Sequence, residues 1–322
     1  MGASASKGRS LPGRERILSL GLKDSRRQEA PRWLQVSRST GHSLVRRLTR
    51  QRYHGGILLP PDPPVCPPGW RTGPPSFVGV GGQRCGTTRW FDLLASHPEV
   101  APPPAIKELG YFDRFYAGGF TAADAANYHR YFPREGDLKV GEWSPLYMSA
   151  PWIPPLLARA APDTRVLVLL RDPIERYLSS LQHNAHVARQ QGAPLSELAP
   201  LEGFQRGFYH AQLLRLLEHF DRSQILVLQY ERCVREPLAE LQRTFLFLEL
   251  RDTEFTPDVG ARPHHQPHKP QLDAETLDAY VQAYREDVLG LVRDFPEVDL
   301  GLWPNFSQLA ERTPVTSDVG AG

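Results

Sequence analysis

Short β-forming runs alternate with stretches of helical apolar spacing from residue 76 onward. Phe77, Val78 and Val80 make a first strand, and Trp90, Phe91, Leu93 and Leu94 follow at helical intervals. A polar helical stretch covers Ala122 to Tyr131, a short strand Leu138 to Glu142, and a helix Trp152 to Ala160. Thr164 to Leu170 is a continuous β-run of the kind buried on both faces in a parallel sheet. Pro173 then sits at the start of a long helix, where its missing N–H costs nothing. One helix is expected over Phe204 to Phe220, a buried strand over Ile225 to Leu228, and helices over Pro237 to Leu248 and Leu272 to Phe295. Strands alternating with helices predict a P-loop-like three-layer α/β domain, with a central mostly parallel sheet flanked by helices.

The first 75 residues break this pattern. Gly, Ser and Arg dominate the start, and Pro60-Pro61-Asp62-Pro63-Pro64, Pro67-Pro68 and Pro74-Pro75 read as a stiff linker. The expected organisation is a basic, disordered arm and linker over 1–75, a main domain over 76–306 and a flexible tail over 307–322. The arm holds 14 Lys and Arg against 4 Asp and Glu, so a net charge of +2 hides an acidic body behind a basic segment. Trp33, Leu34, Val36, Leu44, Val45 and Leu48 among arginines allow weak contact with an anionic membrane surface. Met1-Gly2 with Ser6 also fits a myristoylation pattern. Too few aromatics interleave the arginines to support sequence-specific nucleic-acid recognition.

No apolar run reaches the roughly 20 residues of a membrane span, and no signal-peptide pattern opens the chain. Cys66, Cys85 and Cys233 are scattered, with neither a disulfide framework nor zinc spacing. The expectation is a cytoplasmic protein, at most peripheral to a membrane, with no metal. His264, His265 and His268 lie on a Pro-rich loop without supporting carboxylates, which argues against a metal there as well.

The chemistry concentrates where the first strand breaks into Gly81-Gly82-Gln83-Arg84-Cys85-Gly86-Thr87-Thr88. Strand, Gly-rich turn and helix start form a phosphate cradle: backbone N–H groups turn inward and the helix dipole adds to the field. Arg84 brings a full charge, and Thr87 and Thr88 bring hydroxyls. No lysine follows Gly86, so this is not a Walker A loop. The alternative for such a turn taken alone is that it only solves a packing problem. A second constellation, Arg171-Asp172-Pro173 with Ser179 eight residues beyond Arg171, follows the central β-run at the sheet edge where open α/β sheets bind ligands.

Together the two constellations resemble the sulfotransferase superfamily that uses 3′-phosphoadenosine 5′-phosphosulfate (PAPS). The likeness is greatest to heparan sulfate sulfotransferases and bacterial sulfotransferases of that type, over about residues 76–303. Lys107-Glu108-Leu109-Gly110-Tyr111-Phe112-Asp113 is similar to their K-E-x-H-F-F-D segment, and Glu142-Trp143-Ser144-Pro145-Leu146-Tyr147 to their E-K-S-P-x-Y. Tyr230-Glu231-Arg232 with Glu236-Pro237 resembles a further stretch of the family. Arg84 stands where the family has lysine, Gly110 where it has histidine and Trp143 where it has a second lysine. The last two positions face the acceptor in the family, so the resemblance implies an intact donor site and an acceptor other than heparan sulfate.

The resemblance implies that Gln83, Arg84, Cys85, Gly86, Thr87 and Thr88 hold the 5′-phosphosulfate and that Arg171 and Ser179 hold the 3′-phosphate. Arg262 or Lys269 reaches over the nucleotide. Arg84 neutralises the departing oxygen, Glu108 is the general base, His183 the reserve base, and Lys107 assists at the sulfuryl group. The product nucleotide is 3′-phosphoadenosine 5′-phosphate (PAP), and the acceptor is a hydroxyl or amine of a carbohydrate or small molecule. Trp90, Trp143, Tyr147 and Trp152 suggest an aromatic acceptor cleft. The rival readings are a P-loop nucleotide kinase and a catalytically silent nucleotide-binding protein of the same fold.

Overall fold

The strands expected to be buried pair into one sheet. The computed structural model describes residues 52–54, 57–101, 106–192, 194, 196–260 and 270–310. Strands β3 (Phe77–Gly81), β4 (Gly141–Trp143), β5 (Arg165–Leu170) and β6 (Ile225–Gln229) lie in the order β4-β3-β5-β6, all parallel. β5 is the interior strand that its apolar run requires: Val166 to Leu170 are all buried. A separate antiparallel hairpin joins β1 (Arg52–His54) to β2 (Ile57–Leu59).

Apolar side chains on the two sheet faces enter two cores. Val78, Val80, Val166, Val168 and Leu170 pack with Phe112, Tyr128, Leu213 and Tyr284. Phe77, Leu167 and Leu169 pack with Trp90, Trp143, Leu241 and Phe245 on the other side. Helices cover both faces: α1 (Thr87–Ala95), α2 (Ala122–His129), α3 (Ile153–Ala160), α4 (Pro173–Gln191), α5 (Ala199–Gln205), α6 (Tyr209–Leu217), α7 (Tyr230–Arg235), α8 (Pro237–Phe247), α9 (Ala274–Asp294) and α10 (Ser307–Ala310). This is the three-layer α/β arrangement the alternation predicted.

The single helix expected over Phe204 to Phe220 is two. α5 ends at Gln205 and α6 begins at Tyr209; between them Gly207 lies against Tyr284, whose hydroxyl would be 2.6 Å from a Cβ there. Gln212 closes the break by donating to the carbonyls of Arg206 and Phe208, at 3.3 and 2.7 Å. The Pro-rich stretch before β3 runs along the body. Arg71 and Arg134 exchange backbone hydrogen bonds of 3.0 and 2.9 Å, and Tyr131 donates to the Pro61 carbonyl at 2.5 Å. The arm over residues 1–50, with its expected membrane contact, lies outside the described residues, as do the histidines of 264–268.

Candidate functional site

β3 ends in the Gly-rich turn, and α1 starts from Gly86, which takes φ +88°. A left-handed backbone favours glycine, and here a Cβ would also sit 2.9 Å from the Tyr230 ring. The turn is therefore shaped by α7 as well as by its own sequence. Thr87 and Thr88 open α1, and the Lys107 ammonium donates to both hydroxyls, at 3.1 and 3.4 Å. It also pairs with Glu108 at 3.1 Å. Burial pulls the Lys107 ammonium below its ordinary value, while Glu108 pulls the other way. The Glu108 side chain is 56% exposed, so this carboxylate faces solvent at the end of the site.

Arg84 departs from the sequence reading. Its guanidinium Nε donates to Ser179 Oγ at 3.3 Å. Arg171 donates to the Arg84 carbonyl at 3.4 Å, pairs with Glu175 at 3.1 Å and stacks 4.7 Å from the centre of the Tyr230 ring. Burial first, then neighbouring Arg171, hold the Arg84 guanidinium below its ordinary value. Arg84 thus belongs to the Arg171–Ser179 group, and the cation at the threonines is Lys107.

Arg171 is set by buried acids. Asp172 caps α4 by accepting from the amides of Ile174 and Glu175, at 2.9 and 3.1 Å. Its other oxygen takes two hydrogen bonds of 3.0 Å from Asn305. Glu231 accepts from the Asp172 amide at 3.0 Å and from Trp303 at 3.1 Å, and burial pushes its carboxyl up to about 7. The Tyr209 hydroxyl donates to the Arg171 carbonyl at 2.9 Å.

The remaining expected residues divide. Gln83 reaches sideways to Arg206, which donates to its side-chain oxygen at 2.8 Å. Cys85 corrects the sequence reading: its side chain is wholly buried beside Tyr209, 3.9 Å from that hydroxyl, and its amide is spent on the Gly82 carbonyl. Burial pushes its thiol up to about 11, so it offers no thiolate. His183, half-buried on α4, is lowered by burial and then by Arg84, which keeps its imidazole neutral at pH 7. Arg262 and Lys269 lie outside the described residues.

Three of the four aromatics expected to line an acceptor cleft are core. Trp90, Trp143 and Tyr147 are at most 2% exposed. The Trp143 indole covers Gly79, where a Cβ would lie 2.0 Å from the ring, and donates to the Gly81 carbonyl at 3.0 Å. It therefore does not take the outward path of a lysine at that place. Trp152 does border open space, a cavity of about 550 Å³ that also touches Asp113, Arg206, Phe208 and Arg215. Burial alone pushes the Asp113 carboxyl up to about 6.

Sequence reasoning missed Tyr230, Arg206 and the role of Glu142. Tyr230 opens the motif that directly follows β6, and that position at a strand end was the available signal. No sequence signal joins Arg206 to Gln83. Among the described residues, no group of three or more His, Cys, Asp or Glu side chains could hold a metal ion, and no helix is long and apolar enough to cross a membrane.

Residues 122–254 match the family described as the sulfotransferase family, a span that includes Glu142, Arg171 and Ser179. Membrane-associated sulfotransferase kil1 of Dictyostelium discoideum is 31% identical over 120 residues, covering 37% of this chain and 25% of that protein. Heparan sulfate glucosamine 3-O-sulfotransferase 3A1 of Mus musculus is 30% identical over 190 residues, covering 55% of this chain and 46% of that one. The chain thus spans less than half the length of these two curated relatives. A solved sulfotransferase from Alicyclobacillus acidocaldarius superposes with a TM-score of 0.58 at 23% identity, over 71% of this chain and 98% of that one, and shares the fold. The resemblance read from the two anion-binding constellations is borne out by these likenesses.

Proposed function

We propose that this chain, a sulfotransferase-family protein over the span just described, moves a sulfuryl group from PAPS to a hydroxyl or amine of an acceptor. The heparan sulfate relatives favour a carbohydrate hydroxyl as that acceptor. One observation carries the reading: Arg84, Ser179 and Arg171 meet at one end of the Gly-rich turn, while Lys107 sits on Thr87 and Thr88 at the other. Two cationic ends joined by a phosphate-type turn fit a nucleotide that carries phosphate at two places. The form of the cradle fits such a ligand, since Gly86 takes the left-handed backbone that curls the turn and Arg84 stands beside Ser179 at its edge.

In this reading Arg171, Arg84 and Ser179 hold the 3′-phosphate, the group that separates PAP from adenosine monophosphate. The amides opening α1, the two threonine hydroxyls and Lys107 hold the 5′-phosphosulfate. The acceptor oxygen attacks sulfur, the bond from sulfur to the bridging phosphate oxygen breaks, and PAP leaves with that electron pair. Lys107 neutralises the charge developing there, a role that passes to it from Arg84. Glu108 accepts the acceptor's proton as attack proceeds, with neutral His183 as the reserve base. Positioning and electrostatics supply most of such a rate, as in phosphoryl transfer. The basic arm is an accessory contact to an anionic surface, in keeping with the description of kil1 as membrane-associated.

Titration with PAP and with ATP plus magnesium separates this reading from a kinase. PAP should bind at least about tenfold tighter, a difference of about 1.4 kcal/mol. Single-turnover transfer from labelled PAPS to a panel of sugars, phenols and amines then tests catalysis. Tighter binding of ATP, or no transfer to any acceptor of the panel, would overturn it.

A further inference from the structure

The segment carrying Lys107 and Glu108 has no regular secondary structure, yet three successive amides just after them are each captured by a side chain. Leu109 N–H donates to Glu142 Oε2 at 3.2 Å. Gly110 N–H donates to Ser144 Oγ at 3.2 Å. Tyr111 N–H donates to the Tyr147 hydroxyl at 2.8 Å. All three acceptors come from Glu142-Trp143-Ser144-Pro145-Leu146-Tyr147, at the end of β4. In the opposite direction, the Trp143 amide donates to the Lys107 carbonyl at 3.1 Å.

A hydroxyl can donate or accept, and Glu142 decides which. Ser144 donates its proton to Glu142 Oε2 at 2.6 Å, and Tyr147 donates to Oε1 at 3.2 Å. Both hydroxyl protons go to Glu142, so both hydroxyl oxygens are left to receive amides. Tyr128 donates to the same Oε1 at 2.7 Å but touches no amide of the segment. Glu142 and Ser144 are buried, and Tyr147 is 1% exposed. Finally, the Ser144 amide donates to the Gly79 carbonyl at 2.9 Å, which ties this end of β4 to the strand that delivers the phosphate turn.

We propose that Glu142, Ser144 and Tyr147 act as a positioning clamp that sets Lys107 and Glu108 against Thr87 and Thr88. None of the three is a catalytic residue. They act through the backbone of the neighbouring segment, and β4, which carries the clamp, pairs with β3, which carries the turn. What the clamp is for rests on the sulfuryl-transfer reading; its existence as a restraint does not.

Tyr147→Phe and Tyr128→Phe form a matched pair. Each removes one hydroxyl donor from the same Glu142 oxygen, but only Tyr147→Phe leaves an amide of the segment without its partner. Hydrogen exchange of the peptide spanning residues 107–113 should quicken about tenfold or more in Tyr147→Phe and in Ser144→Ala, and change less than about threefold in Tyr128→Phe. Turnover from PAPS should fall on the order of 10- to 100-fold in the first two with the PAP dissociation constant within about threefold, and stay within about threefold in Tyr128→Phe. If exchange and turnover in all three simply follow their loss of melting temperature, the clamp is ordinary core packing and the proposal falls. Unchanged exchange in Tyr147→Phe also overturns it. A wild-type protein without turnover removes the sulfuryl-transfer reading, while the exchange arm still decides the restraint.

Discussion

Replacing Arg171 with alanine tests the donor site through a ligand difference as well as a residue difference. The Arg171 side chain is only 13% exposed, so solvent screens its charge weakly. A charge-assisted hydrogen bond of this kind is worth about 1.5–3 kcal/mol. The upper end applies here, because the truncation removes a largely buried guanidinium that also pairs with Glu175 at 3.1 Å. About 3 kcal/mol corresponds to roughly a 100-fold rise in the PAP dissociation constant. AMP, which is PAP without its 3′-phosphate, should lose less than about threefold. Calorimetric titration of wild type and variant with both nucleotides closes a thermodynamic cycle whose coupling term is the contact itself. Arg171→Lys keeps the charge but not the fork and should lose about tenfold for PAP. Equal losses for PAP and AMP would place Arg171 in general support of the fold and refute the assignment, as would unchanged PAP affinity.

Other expectations follow from the same geometry. Glu108→Gln should abolish turnover while leaving PAP affinity within about threefold, read by single-turnover transfer and titration; retained activity would move the base role to His183. Gly86→Ala forces a φ of +88° on a residue with a Cβ and pushes it into Tyr230, so about 2 kcal/mol of stability and a melting-temperature drop of roughly 4–8 °C are expected. Stability should also fall as pH rises. Burial lifts the Glu142 carboxyl to about 7 from the unfolded value of 4.5, so its contribution is complete below pH 4.5 and lost as pH passes 7. The span corresponds to about 3 kcal/mol, and Glu142→Gln should flatten that part of a denaturant-monitored stability profile.

What the sequence discloses here is mainly local. β5 is legible because a strand buried on both faces must be apolar throughout, and Pro173 marks the start of α4 because a helix tolerates it there. The turn before α1 is likewise written within a short window. The misread features depend on partners far along the chain. The break between α5 and α6 holds Gly207, which has no room for a side chain beside Tyr284, and Trp143 turns inward because Gly79 on the neighbouring strand leaves room for an indole. Arg84 joins Ser179, 95 residues away, and leaves the threonines to Lys107. The E-x-S-x-x-Y spacing is visible in the chain, but the amides it serves come from another segment, so its use could not be read there.

Tyr230 touches both ends of the site, with Gly86 against its edge and Arg171 across its face. A single rigid ring thus fixes how far apart those ends stand, in the manner of a spacer between the jaws of a gauge. On the proposed reading, a nucleotide whose charged groups do not match that opening would be refused by its length, however negative it is. Selectivity of this sort survives changes in ionic strength, because salt weakens attraction without altering the width of the gap.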